Sequence, residues 1–249
     1  MKRILSLSLI ALLSACAGPK DPGRAQKYSA DWESLARHEA SPDWFADAKL
    51  GIYFHWGVYS VPAYGSEWYP RLMHLEDHHV YKHHLETYGH PSEFGYHDFV
   101  PMFRAEHFDA AEWAELFQKA GARFAGPVAE HHDGFAMWDS EATPWNAADM
   151  GPEKDITGLL AAELRKRDMK LITTFHHSKQ LQRHDSIFTE GHEPYKWSHY
   201  PWHEDMPTSS DDPELQKLYG NMPEDVWLEQ IWYAKLKEVI DQYQPDIIW

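Results

Sequence analysis

Apolar positions along the chain follow two alternating patterns. Residues 49–57 (KLGIYFHWG) form an apolar, aromatic run that ends in glycine, which predicts a strand buried on both faces. A long aromatic and histidine-rich insertion follows, from residue 58 to about residue 107. Asp109 then stands three residues before Glu112, in the spacing of a capping box, and Trp113, Leu116, Phe117 and Ala120 recur at helical spacing until Gly121 closes the helix. Residues 123–135 (RFAGPVAEHHDGF) predict a second strand and its loop, with Pro127 as an interruption. Asp155 caps a helix striped by Ile156, Leu159, Leu160 and Leu164, and residues 170–178 (KLITTFHHS) predict a third strand. A polar loop runs to about Met222. The helix after it carries Leu228, Ile231, Trp232, Leu236, Val239 and Ile240 on one stripe, and leads into a fourth strand at residues 245–249 (PDIIW).

Four units of strand then helix imply parallel strands joined by right-handed crossovers, in a barrel or a doubly wound sheet. No phosphate loop or GxGxxG follows any strand, which disfavours the nucleotide-binding sheet. In a barrel, polar groups at strand C-termini build the site. Here the strands end in His55-Trp56, in His131-His132-Asp133 and in His176-His177. The fold class expected is α/β, the first half of a (β/α)8-like TIM barrel over residues 42–249, truncated after the fourth strand.

Ahead of it, residues 17–41 read as a polar tether with an entry helix around residues 32–38. The first 16 residues read as a lipoprotein signal: Lys2 and Arg3, an apolar run from Ile4 to Leu13, then Leu13-Ser14-Ala15-Cys16, in which Cys16 is the lipidated residue. Ordinary cleavage after Ala17 is the alternative, because Ala15-Cys16-Ala17 also fits the small-x-small rule. Export to the bacterial cell envelope is expected either way, with membrane contact only through a lipid anchor. Cys16 is the only cysteine, so no intramolecular disulfide can form.

The composition narrows the partner. With 39 acidic against 23 basic residues and a formal net charge of −16, the average field repels nucleic acid, whereas a neutral ligand is unaffected. Neutral imidazoles and carboxylates bond hydroxyls and indole faces pack on C–H surfaces, so histidine and tryptophan at adjacent strand ends suit a sugar pocket. A single histidine near a strand end is more often a structural hydrogen-bonder. Three strands ending alike weaken that reading. His74, His78, His79, His83 and His84 of the insertion are read as solvated loop residues, and Trp113 and Trp232 as packing.

Residues 44–69 (WFADAKLGIYFHWGVYSVPAYGSEWY) resemble the opening of the glycoside hydrolase family 29 α-L-fucosidases, and residues 129–140 (AEHHDGFAMWDS) resemble their second-strand motif. The terminal PDIIW is similar to the strand that delivers their nucleophile. The resemblance implies a retaining exo-glycosidase acting on a fucosylated oligosaccharide or glycoconjugate, with no metal and no cofactor. Position by position, it makes His55, Glu67, Trp68, His131 and His132 sugar-binding residues and places Trp249 beside them; Glu67 taken alone could equally be an exposed loop acid. Where many members carry tyrosines, this chain has Phe175-His176-His177, and His177 is expected to replace a sugar-contacting tyrosine. Asp133, beside Gly134, is read as a loop-fixing group that orients its histidine neighbours.

Retaining hydrolysis needs two carboxyl groups about 5–5.5 Å apart. The resemblance places both beyond Trp249, so no catalytic residue is expected in residues 1–249 and the chain as given is expected to be inactive. Two other classes compete. A metal-dependent barrel hydrolase could use the clustered histidines with Asp133, although strand one offers a single His55 and there is no HExxH. A non-catalytic carbohydrate-binding lipoprotein could use the same pocket.

Overall fold

The structure is a computed structural model that describes residues 28–38, 41–182, 198–200 and 205–249. Cys16, the export signal and the start of the tether lie outside the described residues. The chain divides into a unit of residues 1–46 and a unit of residues 47–249. In the first, helix α1 (Trp32–Leu35) starts at Asp31, whose carboxylate accepts the Ser34 amide at 2.7 Å, a capping bond that satisfies one orphan donor. Helix α2 spans Asp43–Ala48.

The larger unit is built on four parallel strands in chain order: β1 (Gly51–Phe54), β2 (Phe124–Glu130), β3 (Lys170–Phe175) and β4 (Ile247–Ile248). β1, β2 and β3 are shorter than their apolar runs, because the polar residues at their C-terminal ends leave the ladder for the loops. Pro127 does not end β2. It pairs with Phe54, the last residue of β1, so its missing amide falls where the ladder to that neighbour stops. The register with β3 then slips between Val128 and Glu130.

Between β1 and β2 lie α3 (Tyr69–Leu72), α4 (His79–Thr87) and α5 (Ala110–Lys119). Asp109 caps α5 through bonds from the Ala111 and Glu112 amides at 2.8 and 3.0 Å. Helix α6 (Ile156–Lys166), capped by Asp155 on the Gly158 amide, joins β2 to β3. Then come α7 (Pro213–Tyr219), α8 (Glu224–Trp227), a π-helical turn at Leu228–Tyr233 and α9 (Ala234–Tyr243). Ala125, Ala129 and Leu171 of the sheet pack with Phe117 of α5, Leu164 of α6 and Val239 of α9 in one core.

Two expectations change. The insertion packs into a core, in which Tyr69, Met73, Val80, Tyr96 and Phe99 join Phe135, Ile156 and Leu160, so His74 and His84 are buried, not solvated. His84 is fully satisfied there: its Nε2 donates to the Phe94 carbonyl and its Nδ1 accepts from the Tyr69 hydroxyl, both at 2.9 Å. The carbonyl can only accept, which fixes the tautomer.

The last helix also turns differently. Its buried residues are Trp227, Ile231, Lys235, Val239 and Tyr243, spaced by four, while Leu228, Trp232 and Ile240 are exposed. A π turn holds more residues than an α turn, so it keeps Trp227 in line with Ile231, Lys235 and Val239 on the buried face and leaves Leu228 and Trp232 outside it. Trp232 stacks on His177, with centroids 6.0 Å apart, rather than filling the helix–sheet layer.

Candidate functional site

Three strand ends converge on His131. Around its ring stand His55 after β1 at 5.4 Å, His132 at 4.9 Å, His176 after β3 at 5.3 Å, Trp68 at 5.6 Å and Tyr59 at 5.6 Å between centroids. His55 and His176 stack on each other at 5.4 Å. Glu67 enters the same group, with ligand atoms of His55, Glu67 and His131 all within 4.8 Å of one another. Trp68 also touches His132 and His199, and the Lys179 ammonium lies 5.3 Å from its ring centre.

The histidines are poor bases here. Burial, then the neighbouring imidazoles, pushes His131 down to about 2 and His132 to about 3. His199 falls well below the ordinary range for the same reason. His131, His132, His176 and His199 are therefore neutral imidazoles near neutral pH, each offering one donor and one acceptor. His131 Nδ1, His176 Nε2 and both ring nitrogens of His199 are buried with no hydrogen-bond partner. Buried polar atoms are seldom left so, and convergent ones are matched by a ligand's hydroxyls.

Asp133 turns away from this group. Its carboxylate accepts from the Tyr96 hydroxyl at 2.7 Å and its carbonyl from the Tyr200 hydroxyl at 2.9 Å. Burial raises its carboxyl to about 7. These are a scaffold's contacts.

The structure thus brings together His55, Glu67, Trp68, His131 and His132. It places His177 elsewhere: that ring is buried against Phe175, Trp227 and Trp232, on the helix side of the sheet. β3 ends at Phe175 and a 3-10 turn begins at His177, so the chain bends between the two histidines and His176 enters the cluster where His177 was expected. Trp249 is exposed and stacks on Tyr53 at 5.7 Å, one ring removed from His55. His176 and His199 are the residues that sequence reasoning missed. The FHHS run announced the first without showing where the chain bends; nothing in the polar loop singled out the second.

His55, Glu67 and His131 are also the chemistry of a zinc site. Tetrahedral zinc bonds of about 2.0–2.1 Å set donors roughly 3.3 Å apart, and the donors of this triad lie within 4.8 Å of one another.

The chain matches the family model described as alpha-L-fucosidase over residues 16–249. It is 34% identical over 244 residues to the tissue alpha-L-fucosidase of Rattus norvegicus, an alignment that covers 98% of this chain and 46% of that protein. It is 33% identical over 226 residues to the plasma alpha-L-fucosidase of Homo sapiens, covering 90% and 42%. The crystal structure of the Thermotoga maritima alpha-fucosidase in complex with fucose superposes with a TM-score of 0.66 at 32% identity, over 89% of this chain and 49% of that one. The chain spans about half the length of the relatives it matches.

Proposed function

Because this chain belongs to the alpha-L-fucosidase family, we propose that its histidine cluster binds the terminal α-L-fucosyl residue of an oligosaccharide or glycoconjugate, in a protein that hydrolyses that bond with retention of configuration. The supporting observation is the convergence of neutral, unpartnered imidazole nitrogens beside an indole face. His55, His131 and His176 hold hydroxyls, Glu67 accepts from one, and Trp68 packs on the C–H face; Trp249 flanks the pocket through Tyr53. We assign neither the nucleophile nor the acid/base of a retaining reaction to any described residue.

One observation favours a second reading, a metal-dependent hydrolase: the His55, Glu67 and His131 donors lie close together. Calorimetric titration of fucose into chelator-washed protein separates the two. Saturable binding is expected without metal. Affinity should hold from about pH 6.5 down to about pH 4.5, because His131 and His132 protonate only near 3 or below. Binding that appears only with added zinc or manganese, and fades in acid as protons displace the metal, would replace the first reading with the second. No binding in either state would end both.

Residence in the cell envelope through a lipid on Cys16 belongs to the same proposal. The expressed protein should fractionate with membranes, and Cys16→Ala should release or misprocess it. A wild-type product recovered only as soluble, unlipidated protein would remove the anchor from the proposal.

A further inference from the structure

We infer that Lys235 is a positioning residue for His131 and His132: one buried ammonium ties both ends of the turn that carries them. The inference rests on the sugar-binding reading for its consequence, though not for its geometry. Lys235 Nζ donates to Glu130 Oε1 at 2.9 Å and to the Gly134 carbonyl at 3.1 Å, and both charged side chains are fully buried. Glu130 and Gly134 bracket the two histidines and Asp133. Among the other bonds of this turn, the Met137 amide closes its base on the Ala129 carbonyl at 2.9 Å, the Gly134 amide reaches the His131 carbonyl at 3.3 Å, the Tyr96 hydroxyl holds the Asp133 carboxylate, and the His176 amide holds the Glu130 carbonyl at 2.9 Å. Lys235 adds a side-chain grip inside that base, with one ammonium on both the strand end and the far side of the turn.

The sequence pays for this contact with a buried charge pair, where apolar residues of similar size would be as stable or more so. Burial raises the Glu130 carboxyl against the pull of the ammonium. A group retained at such cost fits a role in geometry better than one in stability. The same helix continues the grip. One turn on, the Glu238 carboxylate accepts from Trp138 Nε1 at 3.1 Å, Ser140 Oγ at 2.7 Å and the amides of Glu141 and Ala142 at 2.9 and 2.8 Å. Helix α9 therefore clamps the loop after β2 at two points one turn apart.

The simpler account is that Lys235 only neutralises Glu130. The paired variant Glu130→Leu/Lys235→Met decides between them, because it removes both charges together and so avoids the lone buried charge that would unfold Lys235→Met. Two readouts are taken on it and on wild type: the imidazole nitrogen NMR signals of His131 and His132, with those of His84 as an internal reference, and fucose affinity by calorimetry. The His131 and His132 signals should move while His84 stays, and affinity should fall by about tenfold, as expected for a misplacement of a fraction of an ångström to an ångström. Wild-type signals and affinity in the paired variant would overturn the inference. So would a paired variant that cannot fold, since the pair would then serve the fold. If wild type itself binds no fucose, the proposed function fails, and the imidazole signals alone still decide the role of Lys235.

Discussion

His131→Ala is expected to weaken fucose binding by about 5- to 150-fold, the equivalent of about 1–3 kcal/mol. The ring stands at the centre of the cluster, in contact with His55, His132, His176, Trp68 and Tyr59, and is almost wholly buried. A sugar hydroxyl seated against it would be desolvated, so its loss leaves that hydroxyl without a partner and without water. Central, desolvated groups dominate binding in this way, whereas groups at the rim contribute little. His176→Ala should follow His131→Ala in direction. His177→Ala is the informative control: its ring faces Trp227 and Trp232, so affinity should stay within about twofold while stability falls by about 0.5–3 kcal/mol. Titration calorimetry and thermal melts on the three variants read both quantities. Equal affinity losses at His176 and His177, or none at His131, would mean that the sugar sits elsewhere.

That contrast marks where the sequence was legible. Strand order and the caps at Asp109 and Asp155 could be read, because apolar periodicity and capping chemistry are local. The gathering of His55, His131 and His132 followed from one topological rule, that strand C-termini build the site in a barrel. The choice of His176 over His177 did not follow, because it depends on the bend after Phe175, which the apolar run does not mark. His199 depends on a loop whose path no period encodes. Lys235 was hidden for a different reason. It falls within the apolar stripe, four residues from both Ile231 and Val239, and a lone lysine there names no partner until the fold sets Glu130 against it. His74 and His84 were misjudged because a histidine-rich insertion looks solvated until the core it joins is seen.

Gly126→Ala is expected to cost more than about 3 kcal/mol, which lowers the melting temperature of a chain this size by roughly 6–12 °C or more. The argument is steric. A Cβ at Gly126 would lie 1.7 Å from the Ile172 carbonyl oxygen and 2.8 Å from its carbonyl carbon, and both are backbone atoms of β3 that no rotamer change can move. Glycine inside a strand marks such a close approach. Relief requires β2 and β3 to separate just before the register slips between Val128 and Glu130. The same two strands deliver His131 and His176, whose rings are 5.3 Å apart, so fucose affinity should fall along with stability. Gly121→Ala supplies the comparison. Gly121 has a left-handed φ of +89° but nothing within 4 Å of an added Cβ, so alanine there meets only backbone strain, about 1–2 kcal/mol, and should leave affinity alone. Thermal melts with calorimetry on both variants separate close approach from strain. Equal losses of stability at the two glycines would show that β2 and β3 can part without cost. In that case their spacing would not be what holds the two histidines together.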